Sequence, residues 1–293
     1  MLPVVFIYQL TMRPPRLLLL LTGLIASLCL QAQNELMLHD TIIDPGYYEQ
    51  RGDWFKINQW GLAVNQMRDE ALSPLLYSGL GLFWNNHKYK FKPRVFVHQQ
   101  WQTYSLSFAN SESESILSQL SAEFVHARHL PISLSNERIK LYTGGFISGL
   151  LNIKAHPENV NNVVSYELAA LVGPSGMIQA PLTVFGKRFV LSNELQFPLI
   201  SLLGNTPYAW PIPTAFEEEG TLSDAFVVGS WGKLFRLTNR FNVDFHRRVR
   251  RRGREVKRLA YRFSYRWEFV SVPQPNPYQS GTHSISIARI IPL

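Results

Sequence analysis

Residues 259–269 read LAYRFSYRWEF. The odd positions of this segment are all apolar or aromatic, while the even ones are Ala260, Arg262, Ser264, Arg266 and Glu268. Side chains alternate faces with a period of two on a strand, whereas a helix would scatter these arginines around its circumference. Residues 235–246 repeat the pattern, with Phe235, Leu237, Phe241, Val243 and Phe245 on one side and Arg236, Thr238, Arg240, Asn242, Asp244 and His246 on the other. Asn239 is the lone exception. A turn at Arg252-Gly253 joins the two segments into a hairpin whose charges share one face. Exposing Arg236, Arg240, Arg262 or Arg266 to mid-bilayer lipid would cost about 2 to 4 kcal/mol each. The aromatic face is therefore expected to meet lipid, with the arginines inside.

The N-terminus explains how such a sheet would reach a membrane. Arg13 and Arg16 precede a nearly unbroken apolar run over residues 17–30, and Ala32 offers a small residue for signal peptidase. The run is shorter than the roughly 20 residues a spanning helix needs. We expect a signal peptide over 1–32, starting functionally at Met12, an N-terminal periplasmic segment over 33–53, and one domain over 54–293. The sole cysteine, Cys29, lies in the signal and follows Leu28, which disfavours a lipoprotein site. The exported chain would have no thiol chemistry and no disulfide. It would also lose two of its 29 basic residues, against 21 acidic ones.

No later apolar run approaches the length of a spanning helix. Other segments read as strands near 54–65, 72–85, 116–130, 139–155, 162–173 and 283–293. A further strand over 88–108 requires a phase flip near residues 99–101, as a β-bulge would produce. In another, Arg188, Ser192, Glu194 and Gln196 alternate with Phe189, Leu191, Leu195 and Phe197. The expected fold is all-β, a closed antiparallel transmembrane β-barrel of about ten strands (eight to twelve), because an open sheet edge is not tolerated in lipid. With both termini in the periplasm, the outward connections fall near 66–71, 110–115, 156–161, 204–223 and 272–280.

The expected luminal charges are Lys88, Lys90, Lys92, Arg94, Arg188, Glu194, Arg236, Arg240, Asp244, Arg262, Arg266 and Glu268, with Lys56 and Glu167 as further members. Basic groups dominate that set, so any open path would favour anions. In a barrel this narrow, the same groups can instead form an ion-pair network that fills the lumen and leaves the outer loops as the working surface.

Other chemistries are weaker. The run RRVRRRGREVKR at 247–258 would mark a nucleic-acid patch in a cytosolic protein. Behind a signal peptide, without interleaved aromatics, it reads as a solvated turn touching anionic head groups, and no nucleic-acid partner is expected. His126 and His129 are three apart and fall on opposite faces of a strand, so no metal site is expected. Glu217, Glu218 and Glu219 read as a solvated loop. A lipid-modifying enzyme of the phospholipase or lipid A deacylase type is the alternative function, but His283 and Ser284 are strand neighbours facing opposite ways and no G-x-S-x-G elbow is present. No catalytic residue and no cofactor is assigned.

The segments GPSG at 173–176, FGKRF at 185–189, SYRWEF at 264–269 and the terminal HSISIARIIPL, with a signal ending in Ala32-Gln33, resemble the uncharacterised outer-membrane β-barrel proteins of Bacteroidota. The resemblance implies an outer-membrane location and lipid, lipopolysaccharide and the barrel assembly machinery as partners. It carries no activity, which leaves a small channel or a surface or accessory barrel as the expected role. The chain departs from many outer-membrane barrels by ending in Leu293 rather than an aromatic residue.

Overall fold

The computed structural model describes residues 54–70, 73–92, 94–110, 115–134, 139–157, 164–185, 187–205, 226–230, 232–251, 254–273 and 277–292. The signal, the 33–53 segment, Glu217 to Glu219 and Leu293 lie outside them, as do the side chains of the 247–258 run. The strands are β1 (Trp54–Asp69), β2 (Ser73–Lys92), β3 (Val95–Ala109), β4 (Ile116–Ile132), β5 (Lys140–Ala155), β6 (Val164–Val184), β7 (Lys187–Gln196), β8 (Ile200–Asn205), β9 (Phe226–Gly229), β10 (Phe235–Arg251), β11 (Arg254–Val272) and β12 (Tyr278–Pro292). Every pairing is antiparallel. The β5–β6 and β1–β12 ladders complete the circuit, so the sheet closes on itself.

The barrel has ten staves, because β7 with β8 and β9 with β10 each form one interrupted stave. Along β6 the ladder slips by a residue between the pairs Ser175↔Gln196 and Val172↔Ile200. The break coincides with Pro174, which lacks an N–H and accepts a bond from Phe197 N through its carbonyl. Gly173 is required beside it, since a Cβ there would stand 2.1 Å from the Phe197 carbonyl oxygen and 2.5 Å from Pro198 Cα. On the neighbouring stave, the Ser230 carbonyl accepts from Lys233 N and Leu234 N in a turn that drives the buried Leu234 into the lumen.

One end, here the turn end, carries the connections 93–94, 133–139, 185–186 and 252–253. The other end, the loop end, carries 70–72, 110–115, 156–163, 206–225 and 273–277. The phase flip expected at 99–101 is a chain reversal at 93–94: Lys92 pairs with Val95, and residues 88–92 complete β2. The turn between Val184 and Lys187 has Phe185 at φ 50 and almost fully exposed. Left-handed backbone costs a residue with a Cβ roughly 1 to 2 kcal/mol, and less for Asn. Phe185→Asn should therefore stabilise the barrel by about 1 kcal/mol, measured as a shift in its urea unfolding midpoint in vesicles.

The distribution of side chains is inverted relative to a water-soluble barrel. Trp60, Leu62, Leu80, Leu82, Ile147, Ile285 and Ile287 stand exposed on the outer wall, while Glu123, Lys154, Glu194, Arg236, Arg240 and Arg266 are buried inside. Asn239, the exception on the apolar face, has its own partner there: Asn193 and Asn239 exchange reciprocal amide hydrogen bonds of 3.1 and 3.0 Å.

Candidate functional site in the barrel lumen

The lumen is layered. At the turn end Phe55, Ile57, Tyr89, Phe96, Tyr142, Met177 and Ile290 form an apolar cluster, and a second cluster around Met67, Tyr77, Phe108, Leu117, Leu171 and Leu234 lies toward the loop end. Alternation places these residues inward at the ends of the staves and polar ones inward near the middle. Aromatic stacking continues from one layer into the next: Tyr89 lies 4.4 Å from the His98 ring centroid and 5.6 Å from that of Phe96.

Between the clusters runs one connected polar network. Arg262 grips Asp244 through two hydrogen bonds of 2.6 and 2.7 Å and donates to the Tyr89 hydroxyl at 3.0 Å. His87 Nδ1 meets Tyr89 Oη at 3.3 Å and His98 Nε2 at 2.9 Å, and His98 Nδ1 meets Glu194 Oε1 at 3.1 Å. Arg240 joins the other Glu194 oxygen at 3.2 Å and donates to Gln100 at 2.6 Å. Gln100 leads through Gln102 to Glu123, where Arg236 binds both Glu123 and Glu268 at 2.7 Å. Arg266 completes the cluster with Glu268 and Tyr104. These bonds cross the lumen, tying β2, β3 and β4 to β7, β10 and β11.

The histidine chain is anchored at both ends. Gln59 bonds Ser264 through its amide nitrogen and His87 Nε2 through its amide oxygen at 2.8 Å, and Glu194 closes the other end at His98 Nδ1. Gln59, His87 and His98 are at most 1% exposed and offer no atom to a ligand from outside.

The expected luminal charges divide. Glu194, Arg236, Arg240, Asp244, Arg262, Arg266 and Glu268 all face inward and join this network. Lys88, Lys90, Lys92 and Arg94 do not, and neither does Lys56. Lys88, Lys92 and Arg94 are exposed on the outside, and Lys90 sits over the Trp54 ring at 5.4 Å. The correction has a simple cause. Inward positions of β2 are the odd ones, Phe83, Asn85, His87 and Tyr89, and the lysines occupy even positions beyond the apolar part of the wall, where outward charge no longer meets hydrocarbon. The Arg188 side chain lies outside the described residues.

Sequence reasoning missed Asp69, Glu123 and Lys154. Lys154 is fully buried at the loop end, 2.6 Å from Glu167, in contact with Asp69, and stacked 3.9 Å over Tyr278. Among the described residues the luminal bases are Lys154, Arg236, Arg240, Arg262 and Arg266, and the acids are Asp69, Glu123, Glu167, Glu194, Asp244 and Glu268. The basic excess that implied anion preference is therefore absent from this set.

Two serine–histidine arrangements bear on enzymatic readings. Ser175 Oγ lies 2.8 Å from His129 Nε2, but His129 is wholly buried and its Nδ1 has no hydrogen-bond partner among the described residues, so no third group orients the ring. Ser284 points inward, whereas His283 points outward and pairs with the Tyr265 hydroxyl at 2.6 Å. His126 also lies outside, near Gln99 and Arg128, on the opposite face from His129.

No protein-family model matches the chain, and no curated protein does. Among solved structures, it is similar to the outer-membrane protease OmpT of Escherichia coli at 6% identity and TM-score 0.42, covering 82% of this chain and 97% of that one. It is similar to the translocator domain of the autotransporter NalP of Neisseria meningitidis at 7% identity and TM-score 0.35, covering 84% and 94%. The β-domain of the Bordetella autotransporter BrkA gives 8% identity and TM-score 0.34 over 80% and 98%. Likenesses at this level carry no argument about activity.

Proposed function

We propose that the chain is a non-conducting outer-membrane β-barrel whose filled lumen acts as a rigid frame, leaving the loop end as its working surface. The observation that carries this reading is the cross-lumen network enclosed between two apolar clusters within a wall of outward aliphatic and aromatic residues. A closed ring leaves no open edge in lipid, which only helices and closed barrels achieve. A cavity of about 80 Å³ lies between Gln102, Glu123, Arg236 and Glu268 of the network and Leu203, Leu234, Val272 and Tyr278 toward the loop end, with room for several waters. In this reading the 1–32 segment is cleaved after Ala32, the assembly machinery inserts the barrel with its turn end in the periplasm, and lipopolysaccharide surrounds the loop end.

Full-length protein in a planar bilayer should show no sustained conductance under an applied potential. Long-lived, reproducible channel events with the unmodified chain would overturn the filled-lumen reading. Recovery of the protein in the soluble periplasm would overturn the membrane reading itself.

A further inference from the structure

The lysines that leave the lumen gather on one sector of the outer wall. Lys56 on β1, Lys88, Lys90 and Lys92 on β2, Arg128 on β4 and Arg289 on β12 all point outward near the turn end. They are contiguous in register: Lys56 stands directly opposite Lys88, Trp54 opposite Lys90, and Arg289 opposite Asn58, beside Lys56. Lys90 and Arg128 both face Val97, from its two sides. Like charges directly opposed across a ladder are destabilising.

Among the described residues no carboxylate pairs with this sector. The described acids on β12 and on β1 to β4, together with the turn after β1, are Asp69, Glu70 and Glu123. Asp69 and Glu123 are buried in the lumen, and Glu70 pairs with Arg68 at 3.1 Å at the opposite end of the barrel. Long basic side chains beside an apolar wall lay their methylene stems along it and keep their charged heads at the polar boundary.

We propose that this sector is a binding site for anionic phospholipid head groups of the leaflet that meets the turn end. The inference rests on the membrane reading above and adds a chemical preference that the reading does not require. The head-group phosphate supplies a counter-charge that the described residues do not, and the acyl chains continue onto the apolar wall toward Leu62, Leu82 and Ile285.

The test uses full-length protein inserted in mixed phosphatidylcholine and phosphatidylglycerol vesicles, with each lipid brominated in turn to quench tryptophan fluorescence. Brominated phosphatidylglycerol should quench beyond its bulk share, with an enrichment of about fivefold, the ratio equivalent to the attraction of one surface basic residue at roughly 1 kcal/mol. The variant K56Q/K88Q/K90Q/R128Q should reduce that enrichment to near one, and a milder K56Q/K88Q variant should reduce it in part. Raising the salt concentration should lower it in the unmodified protein, because exposed charges are screened. Equal quenching by the two lipids in the unmodified protein, or enrichment unchanged in the variants, would overturn the site while leaving the membrane reading intact. Absence of quenching by either lipid would overturn both.

Discussion

Replacing Arg236 with Met should destabilise the barrel by about 3 to 5 kcal/mol, the cost of leaving a buried opposite charge uncompensated. Arg236 is 4% exposed and neutralises two carboxylates at once, Glu123 from β4 and Glu268 from β11. Without it, both acids would rely on Arg266, which already binds Glu268 and contacts Glu123. Adding Glu123→Gln to the Arg236→Met variant should recover much of the loss, because one base then faces one acid. A double-mutant cycle should show coupling of about 1 to 3 kcal/mol. Urea unfolding in vesicles, followed by tryptophan fluorescence, provides the measurement. A loss below about 0.5 kcal/mol would mean that water screens the cluster, as in an open pore, and would contradict the filled lumen.

The cost of burying unpaired charge also makes the sequence legible in some segments and misleading in others. On β10 and β11 the apolar and charged positions alternate with Asn239 as the exception, and the turn at 252–253 and the inward direction of Arg236, Arg240, Arg262 and Arg266 follow from the pattern. The basic run read as a solvated turn over 247–258 is instead mostly strand, since pairing continues to Arg251 and resumes at Arg254. On β2 and β3 charge and parity give different answers. Assigning Lys88 to Arg94 inward because they are charged required a bulge at 99–101, whereas assigning parity from Phe83, Asn85, His87 and Tyr89 requires only a reversal at Pro93-Arg94. Proline followed by a charged residue was the available signal. The interruptions at 197–199 and 230–234 had weaker signals, Pro174 and Pro198, whose effect depends on which ladder edge their missing N–H faces.

The network itself was only half visible. Its charged members announce themselves, but its neutral members Gln59, Gln100 and Gln102 become linkers only when seven staves bring the groups together. His87 and His98 come from strands adjacent in sequence, yet Glu194 reaches them from across the lumen. No spacing in the sequence encodes that distance. The same holds for Lys154, which falls in a segment whose faces alternate poorly because Gly144, Gly145 and Gly149 interrupt it.

An arginine at position 82 should act most strongly where the membrane reading is most exposed. Leu82 sits near the middle of β2, 64% exposed, in a row with Leu62 and Ile285 on the outer wall. In a bilayer Leu82→Arg should cost about 2 to 4 kcal/mol, falling toward 0 to 1 kcal/mol for the same change near the head groups. Lys88→Leu, three outward positions farther along the same strand, should therefore change stability by less than about 1 kcal/mol. On a barrel surrounded by water, an exposed Leu82→Arg change would stay within about 0.5 kcal/mol. Unfolding of the two variants in vesicles of one composition would separate these outcomes. A large cost at 82 with little at 88 places the apolar band of the wall in hydrocarbon and the basic sector at its edge, whereas equal small effects at both positions would put the outer wall in water and remove the basis for the membrane role.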